Sequence, residues 1–283
     1  MSLAKDLAAL MAANKFSPEA QLAQTEFRLK LADAWNILPG AKVLEIGCGQ
    51  GDMTAVLAHA VGASGRVVAV DIANPEYGAP VSIGDSAKFL KSGPLGQRIE
   101  FRFEFDALSE ANPFEPNSFD FVVLAHCTWY FDSLDRLAKT LKVVQDWTPR
   151  VCLSEWDLEP RSIDQLGHLL AIVIQGQVEV YKSVSESNVR TPYSRQSLKD
   201  LLDNVGWLIA SEELVETQNL ADARWEIRAC LEQSVNESEQ LEMPDKARSL
   251  VKSLADVLKG VAGIQSPRPL PAYAIVAKRA ASQ

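Results

Sequence analysis

Three glycines, Gly47, Gly49 and Gly51, stand two residues apart in the segment VLEIGCGQG at residues 43–51. Glycine is needed where the backbone takes a positive φ, or where a ligand must reach the main chain without meeting a Cβ atom. An apolar run precedes these glycines, and a helical pattern follows at 52–60, so the segment predicts a strand, a glycine turn and a helix. We expect the turn to contact a ligand through its backbone.

Four further polar residues, Asp71, Asp106, His126 and Glu155, each follow a short apolar run. Such runs alternate with helical patterns over residues 42–217, which is typical of a parallel sheet covered by helices on both faces. Ligands of these sheets bind outside the carboxyl ends of the strands. The four side chains are therefore predicted to face the crevice that holds the glycine turn.

The elements that position these groups are seven predicted strands, at 42–46, 66–70, 99–105, 119–125, 150–154, 207–217 and 272–278. They predict an α/β fold, a doubly wound, Rossmann-like and mostly parallel seven-stranded sheet with helical insertions that form a lid. Ser194 is predicted to be the N-cap of a helix that Gly206 closes.

The chain is predicted to be one domain over residues 1–283, because its 47% hydrophobic composition can fill a single large core. The lid would come from N-terminal helices at 1–38, an insertion at 158–192 after the fifth strand, and an insertion at 218–265 between strands six and seven. A helix predicted at 163–182 is apolar on nearly every side in its middle, so another layer or a partner must cover it. A homodimer through the helical insertions is therefore open.

The spacing of the glycines indicates what kind of ligand the turn binds. A dinucleotide-binding turn has its third glycine five residues after the first, whereas Gly51 follows Gly47 by four. Asp52 takes the place of the expected last glycine, and a carboxylate there would repel a pyrophosphate. A nucleoside without phosphates is favoured. Asp71 is suitably spaced to accept from ribose hydroxyls, a contact that nicotinamide and adenosine ligands share.

The order of these motifs resembles that of the class I S-adenosylmethionine-dependent methyltransferase family. The similar segments are LPGAKVLEIGCGQG at 38–51, VDI at 70–72, FDA at 105–107, FDFVV at 119–123, the helix region 193–207, and the last strand at 273–278. The resemblance covers about 42–217 and 272–279, and leaves out the insertions. It implies methyl transfer from S-adenosylmethionine, with S-adenosylhomocysteine as the product.

The resemblance also implies a set of cofactor-binding residues. Backbone at Gly47 and Gly49 would lie against the methionine part, Glu45 would fix the loop and the amino group, and Asp71 would hold the ribose. Asp106 would accept from the adenine amine. The complete implied set is Glu45, Gly47, Cys48, Gly49, Gly51, Asp71, Ile72, Phe105, Asp106, Ala107, Ala125 and His126. Carboxylates suit a ligand that carries a sulfonium and an ammonium.

His126 is the candidate catalytic residue, because a hydroxyl or thiol acceptor must lose a proton during methyl transfer. Alternatively, His126 only shapes the cofactor pocket. Candidate acceptor-binding residues are Trp129, Tyr130, Glu155 and Trp156, which follow the fourth and fifth strands. Their aromatic faces would hold a flat substrate or the sulfonium, or would instead pack the insertion helices onto the sheet.

Composition excludes several other classes of protein. A formal net charge of -9 and a pI near 5.0 disfavour nucleic acid and anionic membranes as partners. The four cysteines are scattered without metal-ligand spacing, so no metal site is expected. No run is long enough to span a bilayer, and residues 1–13 lack the apolar core of a signal peptide. We expect a cytoplasmic enzyme with a small-molecule acceptor.

The sequence is also compatible with other functions. The same fold could hold the cofactor as an electrostatic element in a rearrangement or cyclisation, without transfer of the methyl group. The chain could also be a non-catalytic binding subunit, or a nicotinamide-dependent oxidoreductase, although Asp52 disfavours the last. The sequence leaves undecided whether oxygen, nitrogen, sulfur or carbon receives the methyl group.

Overall fold

A seven-stranded sheet with the order β3-β2-β1-β4-β5-β7-β6 forms the middle layer of the computed structural model, which describes residues 2–109, 114–185, 187–264 and 266–280. The strands are β1 (Lys42–Ile46), β2 (Arg66–Val70), β3 (Ile99–Arg102), β4 (Phe121–Ala125), β5 (Arg150–Trp156), β6 (Trp207–Val215) and β7 (Ala272–Arg279). Pairs among the first five are parallel, and β7 is antiparallel to both β5 and β6. The predicted fold class is confirmed.

The direction of strand addition reverses between β1 and β4. In an open α/β sheet this reversal opens a crevice at the carboxyl ends of the two strands, where ligands bind. Strand β4 is a continuous apolar run whose first four residues are buried, as expected for a central strand with helices on both faces. The glycine turn follows β1 and His126 follows β4, so both lie at the carboxyl ends of adjacent central strands.

Ten α-helices surround the sheet in the described part of the chain. They are α1 (Leu3–Ala8), α2 (Pro18–Ala34), α3 (Asp52–Ala60), α4 (Ile83–Ser92), α5 (Leu134–Trp147), α6 (Leu166–Glu179), α7 (Arg195–Asn204), α8 (Asp222–Ala229), α9 (Val235–Glu237) and α10 (Asp245–Ile264). A π-helical segment, Cys230–Ser234, joins α8 to α9. Ser194 caps α7 by accepting from Ser197 N at 3.1 Å, and Gly206 follows with a φ of 88°, both as predicted.

Several boundaries differ from the predicted ones, each for a local reason. Strand β3 ends at Arg102 because Glu104 has a φ of 55° and turns the chain away from the sheet. Strand β5 extends two residues further than predicted, since Glu155 and Trp156 pair with the antiparallel β7. The helix predicted at 163–182 is a 3-10 turn, Ile163–Gln165, followed by α6.

Helix α6 packs under a second layer made by the chain itself. Its apolar residues form a hydrophobic cluster with residues of α8, the π-helical segment, the segment before α10, and α10: Ala171, Ile174, Val178, Ile227, Cys230, Met243, Val251 and Leu258. The chain's own second layer thus covers this apolar face of α6.

The predicted units extend slightly beyond the described residues. Met1 of the segment 1–38, Glu186 of the insertion 158–192 and Gln265 of the insertion 218–265 lie outside them, as do 110–113 and 281–283 of the domain 1–283. Among the residues that are described, no helix combines the length and the apolar character needed to cross a bilayer.

Candidate functional site

The three glycines of the turn have left-handed backbone conformations for different reasons. A Cβ atom on Gly47 would lie 2.6 Å from Cys127 Cβ, so close packing against the end of β4 requires glycine there. A Cβ atom on Gly51 would touch Leu90 and Phe101 at 3.4 Å. Gly49 has a φ of 51° and no atom within 4 Å of its Cβ position. Only Gly49 leaves open space against the backbone, as the approach of a ligand requires.

Asp71 connects the end of β2 to this turn. Its Oδ2 accepts from Gly49 N at 2.8 Å and its Oδ1 accepts from Ala73 N at 2.9 Å. Each carboxylate oxygen has two acceptor directions, so one remains on each oxygen for a ligand. Two acceptors beside Gly49 fit the paired hydroxyls of a ribose, so Asp71 suits a nucleoside ligand such as S-adenosylmethionine.

Glu45 lies buried behind the turn with an exposed fraction of 2%. Thr54 Oγ1 donates to its Oε2 at 2.5 Å. Burial raises the pKa of Glu45 to about 8, and the Thr54 hydrogen bond offsets only part of that effect. The carboxyl group thus holds its proton at neutral pH, and a cation beside it would favour the ionised form. Burial also raises the pKa of the neighbouring Cys48 thiol.

The predicted adenine contact involves residues that already have partners. Asp106 Oδ1 accepts from Leu108 N at 2.9 Å, while its Oδ2 pairs with Arg136 Nη2 at 2.9 Å. Both side chains of this ion pair are about one third exposed, and such pairs contribute about 0–1 kcal/mol. The adenine amine of a ligand could therefore take the place of Arg136 as a partner of Asp106 at little cost in free energy. Ile72 is 61% exposed, and Phe105 packs on Phe114 at 5.6 Å. Ala107 is half-buried nearby in sequence.

His126, which follows Ala125 at the end of β4, is held on both ring nitrogens. Its Nδ1 lies 3.2 Å from Glu155 Oε1, and its Nε2 lies 3.2 Å from Ser154 Oγ. Glu155 is 3% exposed and also accepts from Thr128 Oγ1 at 2.9 Å. Because an ionised carboxylate only accepts, this partner assigns the proton of neutral His126 to Nδ1 and leaves the lone pair on Nε2.

Aromatic rings surround the imidazole. The centroid of Trp156 lies 4.8 Å from that of His126, and Phe27 of α2 lies 5.2 Å from it, both edge to face. Phe27 and Trp156 are parallel to within 3° at 6.3 Å. An N-terminal helix thus contributes a wall beside the ends of β4 and β5.

A cavity of about 150 Å³ lies against this cluster. It brings together all five residues predicted for catalysis or acceptor binding, namely His126, Trp129, Tyr130, Glu155 and Trp156. Its other lining residues come from the predicted lid segments: Gln24, Phe27, Arg28, Ile172, Asn188, Val189, Asp222 and Glu226. The sequence did not predict these residues as part of a site. Polar residues at helical spacing, such as Asp222 and Glu226, have the pattern of a solvent-exposed helix face. Among the described residues, no cluster of His, Cys, Asp and Glu could hold a metal ion.

Helix α2 joins the turn to the cavity. Gln21 Nε2 donates to Asp52 Oδ1 at 2.6 Å, at the start of α3, and Gln24 Nε2 donates to Asp222 Oδ2 at 2.9 Å, at the start of α8. Gln21 and Gln24 are three residues apart and share one face of the helix. Asp52 is the first residue of α3, where a carboxylate complements the helix dipole.

Comparison with known proteins gives a consistent family. A family model described as a methyltransferase domain matches residues 19–212. A solved structure of a cyclopropane-fatty-acyl-phospholipid synthase-like protein from Lactobacillus casei is 35% identical, with a TM-score of 0.87 over 97% of this chain and 98% of that one.

Two curated relatives match over part of their length. Methyltransferase phomM of Diaporthe leptostromiformis is 27% identical over 66% of this chain, which spans 53% of that protein. The ubiquinone/menaquinone biosynthesis C-methyltransferase UbiE of Vibrio cholerae is 26% identical, and the match covers 60% of this chain and 65% of the length of UbiE. The chain thus spans about half the length of the fungal relative. The chain belongs to the class I S-adenosylmethionine-dependent methyltransferase family, whose cofactor is S-adenosylmethionine.

Proposed function

We propose that this protein methylates a small molecule bound in the cavity beside His126. The observation that carries the proposal is the position of the cavity next to the glycine turn. Cys127, the residue after His126, packs directly on Gly47, so the cavity and the turn are neighbours. A methyl donor at the turn and an acceptor in the cavity would then meet at the ends of β1 and β4.

The residues of the turn suit the family's cofactor. Asp71 offers two free acceptor directions beside the open face of Gly49. Glu45 holds a proton that a bound ammonium would displace, because a neighbouring cation lowers the pKa of a carboxyl group. When bound, S-adenosylmethionine supplies an electrophilic methyl group on a sulfonium.

In this proposal His126 is the general base. Glu155 fixes the tautomer that carries its proton on Nδ1, so Nε2 is the atom that receives a proton from the acceptor. The Ser154 hydroxyl lies 3.2 Å from Nε2, so proton transfer from an acceptor would require this contact to break. The backbone of His126 has a φ of 51°. Such conformations cost about 1–3 kcal/mol in a non-glycine residue and cluster at functional sites, which supports the role.

The cavity favours a polar acceptor over a lipid. The name of the Lactobacillus casei relative refers to fatty-acyl phospholipids. In the cavity described here, three carboxyl groups and one guanidinium line the wall, and an acyl chain would leave such groups desolvated without partners. Helices α2, α6 and α8 would exclude water around a bound acceptor.

The proposal is tested with two variants and a control. His126→Gln is expected to lower kcat for formation of S-adenosylhomocysteine by about 10²–10³, with little change in cofactor affinity measured by calorimetry. Asp71→Asn is expected to weaken cofactor binding about tenfold, since it loses a charged acceptor. His59→Gln makes the same change at an exposed histidine and should behave as the wild type.

The assay uses methyl-labelled S-adenosylmethionine with panels of small amines, phenols, thiols and carbon acids. Label transferred to no acceptor, together with wild-type cofactor binding by Asp71→Asn, would favour a non-catalytic binding subunit. An acceptor that is converted without release of S-adenosylhomocysteine would favour a rearrangement or cyclisation instead.

A further inference from the structure

The cavity carries more negative than positive charge. Three of its lining residues are acids, Glu155, Asp222 and Glu226, whereas Arg28 is the one Lys or Arg among those described. With the acids ionised and His126 neutral, the described lining has a formal excess of two negative charges. A cavity of this charge attracts cations and repels anions.

Neither acid of α8 has an ion-pair partner in the described part of the chain. Asp222 Oδ2 accepts from the side-chain amide of Gln24, and Glu226 Oε2 accepts from the amide of Gln175 at 2.9 Å. Burial raises the pKa of both carboxyl groups, and for Asp222 the nearby Arg28 guanidinium offsets part of this effect. Neutral donors thus hold two acids whose ionised forms a bound cation would stabilise.

Aromatic side chains supply a second requirement for a ligand. The rings of Phe27, Tyr130 and Trp156 line the same cavity, and the faces of such rings attract cations. Trp129 also lines the cavity, and its side chain is buried. A bound cation would thus lie between carboxylates and aromatic side chains.

Given the methyl transfer proposed above, we infer that the acceptor is a small amine that enters the cavity as an ammonium ion between Glu155, Asp222 and Glu226. The geometry supports this class because carboxylates come from both sides, from the end of β5 and from α8, while aromatic rings cover the remaining wall. The charge of the product also agrees, since an N-methylated amine is again a cation at neutral pH.

The reaction balances with the groups at hand. The bound ammonium gives one proton to His126 Nε2, and the freed nitrogen lone pair forms the new N–C bond. The electron pair of the broken S–C bond remains on sulfur, which becomes a neutral thioether. The positive charge moves from sulfur to nitrogen and stays near the carboxylates throughout. The proton on His126 then passes to solvent after the product leaves.

An oxygen or carbon acceptor would develop negative charge during the reaction and would therefore need a cavity lined by cations. A phenolate, alkoxide or carbanion would develop beside the same three acids, and like charges disfavour the ionised form. Tyr130 is an internal example of such a hydroxyl: burial raises the pKa of its phenol, and Glu155 and Glu226 raise it further.

The cavity volume guides the choice of probes. Its volume of about 150 Å³ matches an engineered cavity in another protein that holds benzene. Benzylamine, benzyl alcohol and benzoate share one ring and differ in charge, as a cation, a neutral molecule and an anion at pH 7.5. Their affinities are measured by calorimetry with the full chain saturated with S-adenosylhomocysteine.

We expect benzylammonium to bind at least about tenfold more tightly than benzyl alcohol, and benzoate to bind most weakly. Asp222→Asn and Glu226→Gln should each reduce the preference for the cation several-fold. Glu232→Gln removes the same charge from an exposed position in the same insertion and should leave the preference unchanged. With methyl-labelled cofactor, the labelled product should be N-methylbenzylamine.

The inference is overturned if benzyl alcohol or benzoate binds as well as benzylammonium, if none of the three binds, or if the preference survives both substitutions in α8. Should a variant not fold, the comparison of the three probes on the wild type decides alone. Failure of the proposed function looks different, because S-adenosylmethionine itself would then fail to bind or to release S-adenosylhomocysteine with every class of acceptor.

Discussion

Replacing Gly47 with alanine tests whether the first glycine of the turn serves packing rather than ligand approach. The new Cβ atom would lie 2.6 Å from Cys127 Cβ and 2.8 Å from Cys127 Sγ, and Gly47 has a φ of 76°. A left-handed alanine costs about 1–2 kcal/mol, and overpacking against a buried side chain costs about 1–3 kcal/mol more. Alanine also restricts the unfolded chain more than glycine does, and this offsets up to about 1 kcal/mol of the destabilisation.

The expected net destabilisation by Gly47→Ala is therefore about 1–5 kcal/mol, with a midpoint near 3 kcal/mol. At this chain length a loss of about 3 kcal/mol corresponds to a fall in Tm of roughly 5 °C, measured by circular dichroism and checked by urea denaturation. Gly49→Ala is the matched control, because Gly49 has no neighbour within 4 Å of the Cβ position. It should lose only the backbone contribution, a net of about 0–2 kcal/mol, yet weaken cofactor binding about tenfold, since its Cβ atom occupies the ligand side of the turn.

A double-mutant cycle isolates the contact between the two side chains. Cys127→Gly removes both atoms that the new Cβ atom would meet, so it should cost less stability in the Gly47→Ala background than in the wild type, with a coupling of about 1–3 kcal/mol. Equal losses from Gly47→Ala and Gly49→Ala, or no coupling to Cys127, would refute the packing explanation.

Two further predictions concern buried acids. For Glu45 the folded-state pKa, about 8, lies above the ordinary value of 4.5. Between these two pH values the folded chain binds more protons than the unfolded chain. The free energy of unfolding should therefore fall as pH rises from about 4.5 to 8, by up to about 1.4 kcal/mol per pH unit. Glu45→Gln should remove this slope in urea titrations at pH 5–8 without cofactor; an unchanged slope would contradict it. Asp157 has a side chain 1% exposed with Arg195 Nε at 3.5 Å, so Arg195→Gln should destabilise by about 3 kcal/mol. Asp157→Asn in that background should recover part of the loss, whereas no recovery would argue against the pair.

The parts of the fold that follow from local pattern were predicted well. Strands β1 and β2 have the predicted bounds, Lys42–Ile46 and Arg66–Val70, because each is a short apolar run that stops at a turn residue or an acid. The alternation of strands and helices also predicted the sheet, since crossovers between parallel strands leave few topologies.

What the sequence could not supply depends on contacts between distant segments. The packing of Gly47 against Cys127 was not predicted, because only the pairing of β1 with β4 brings Cys127 to Gly47. Asp222 and Glu226 meet His126 only once α8 has folded over the sheet, and no spacing along the chain encodes that. Local periodicity fixes which face of a helix is buried, not which cavity the other residues line.

Strand β7 pairs with β5 and so contributes to the position of the residues around His126. Glu155, the partner of His126, lies opposite Tyr273, and Trp156 lies opposite Ala272. The family match ends at residue 212, so a fragment chosen by that boundary would contain every motif of the turn and still lack the strand that keeps Glu155 extended and in place. For this protein, the orientation of the candidate base is a property of the fold's last strand as much as of its glycine turn.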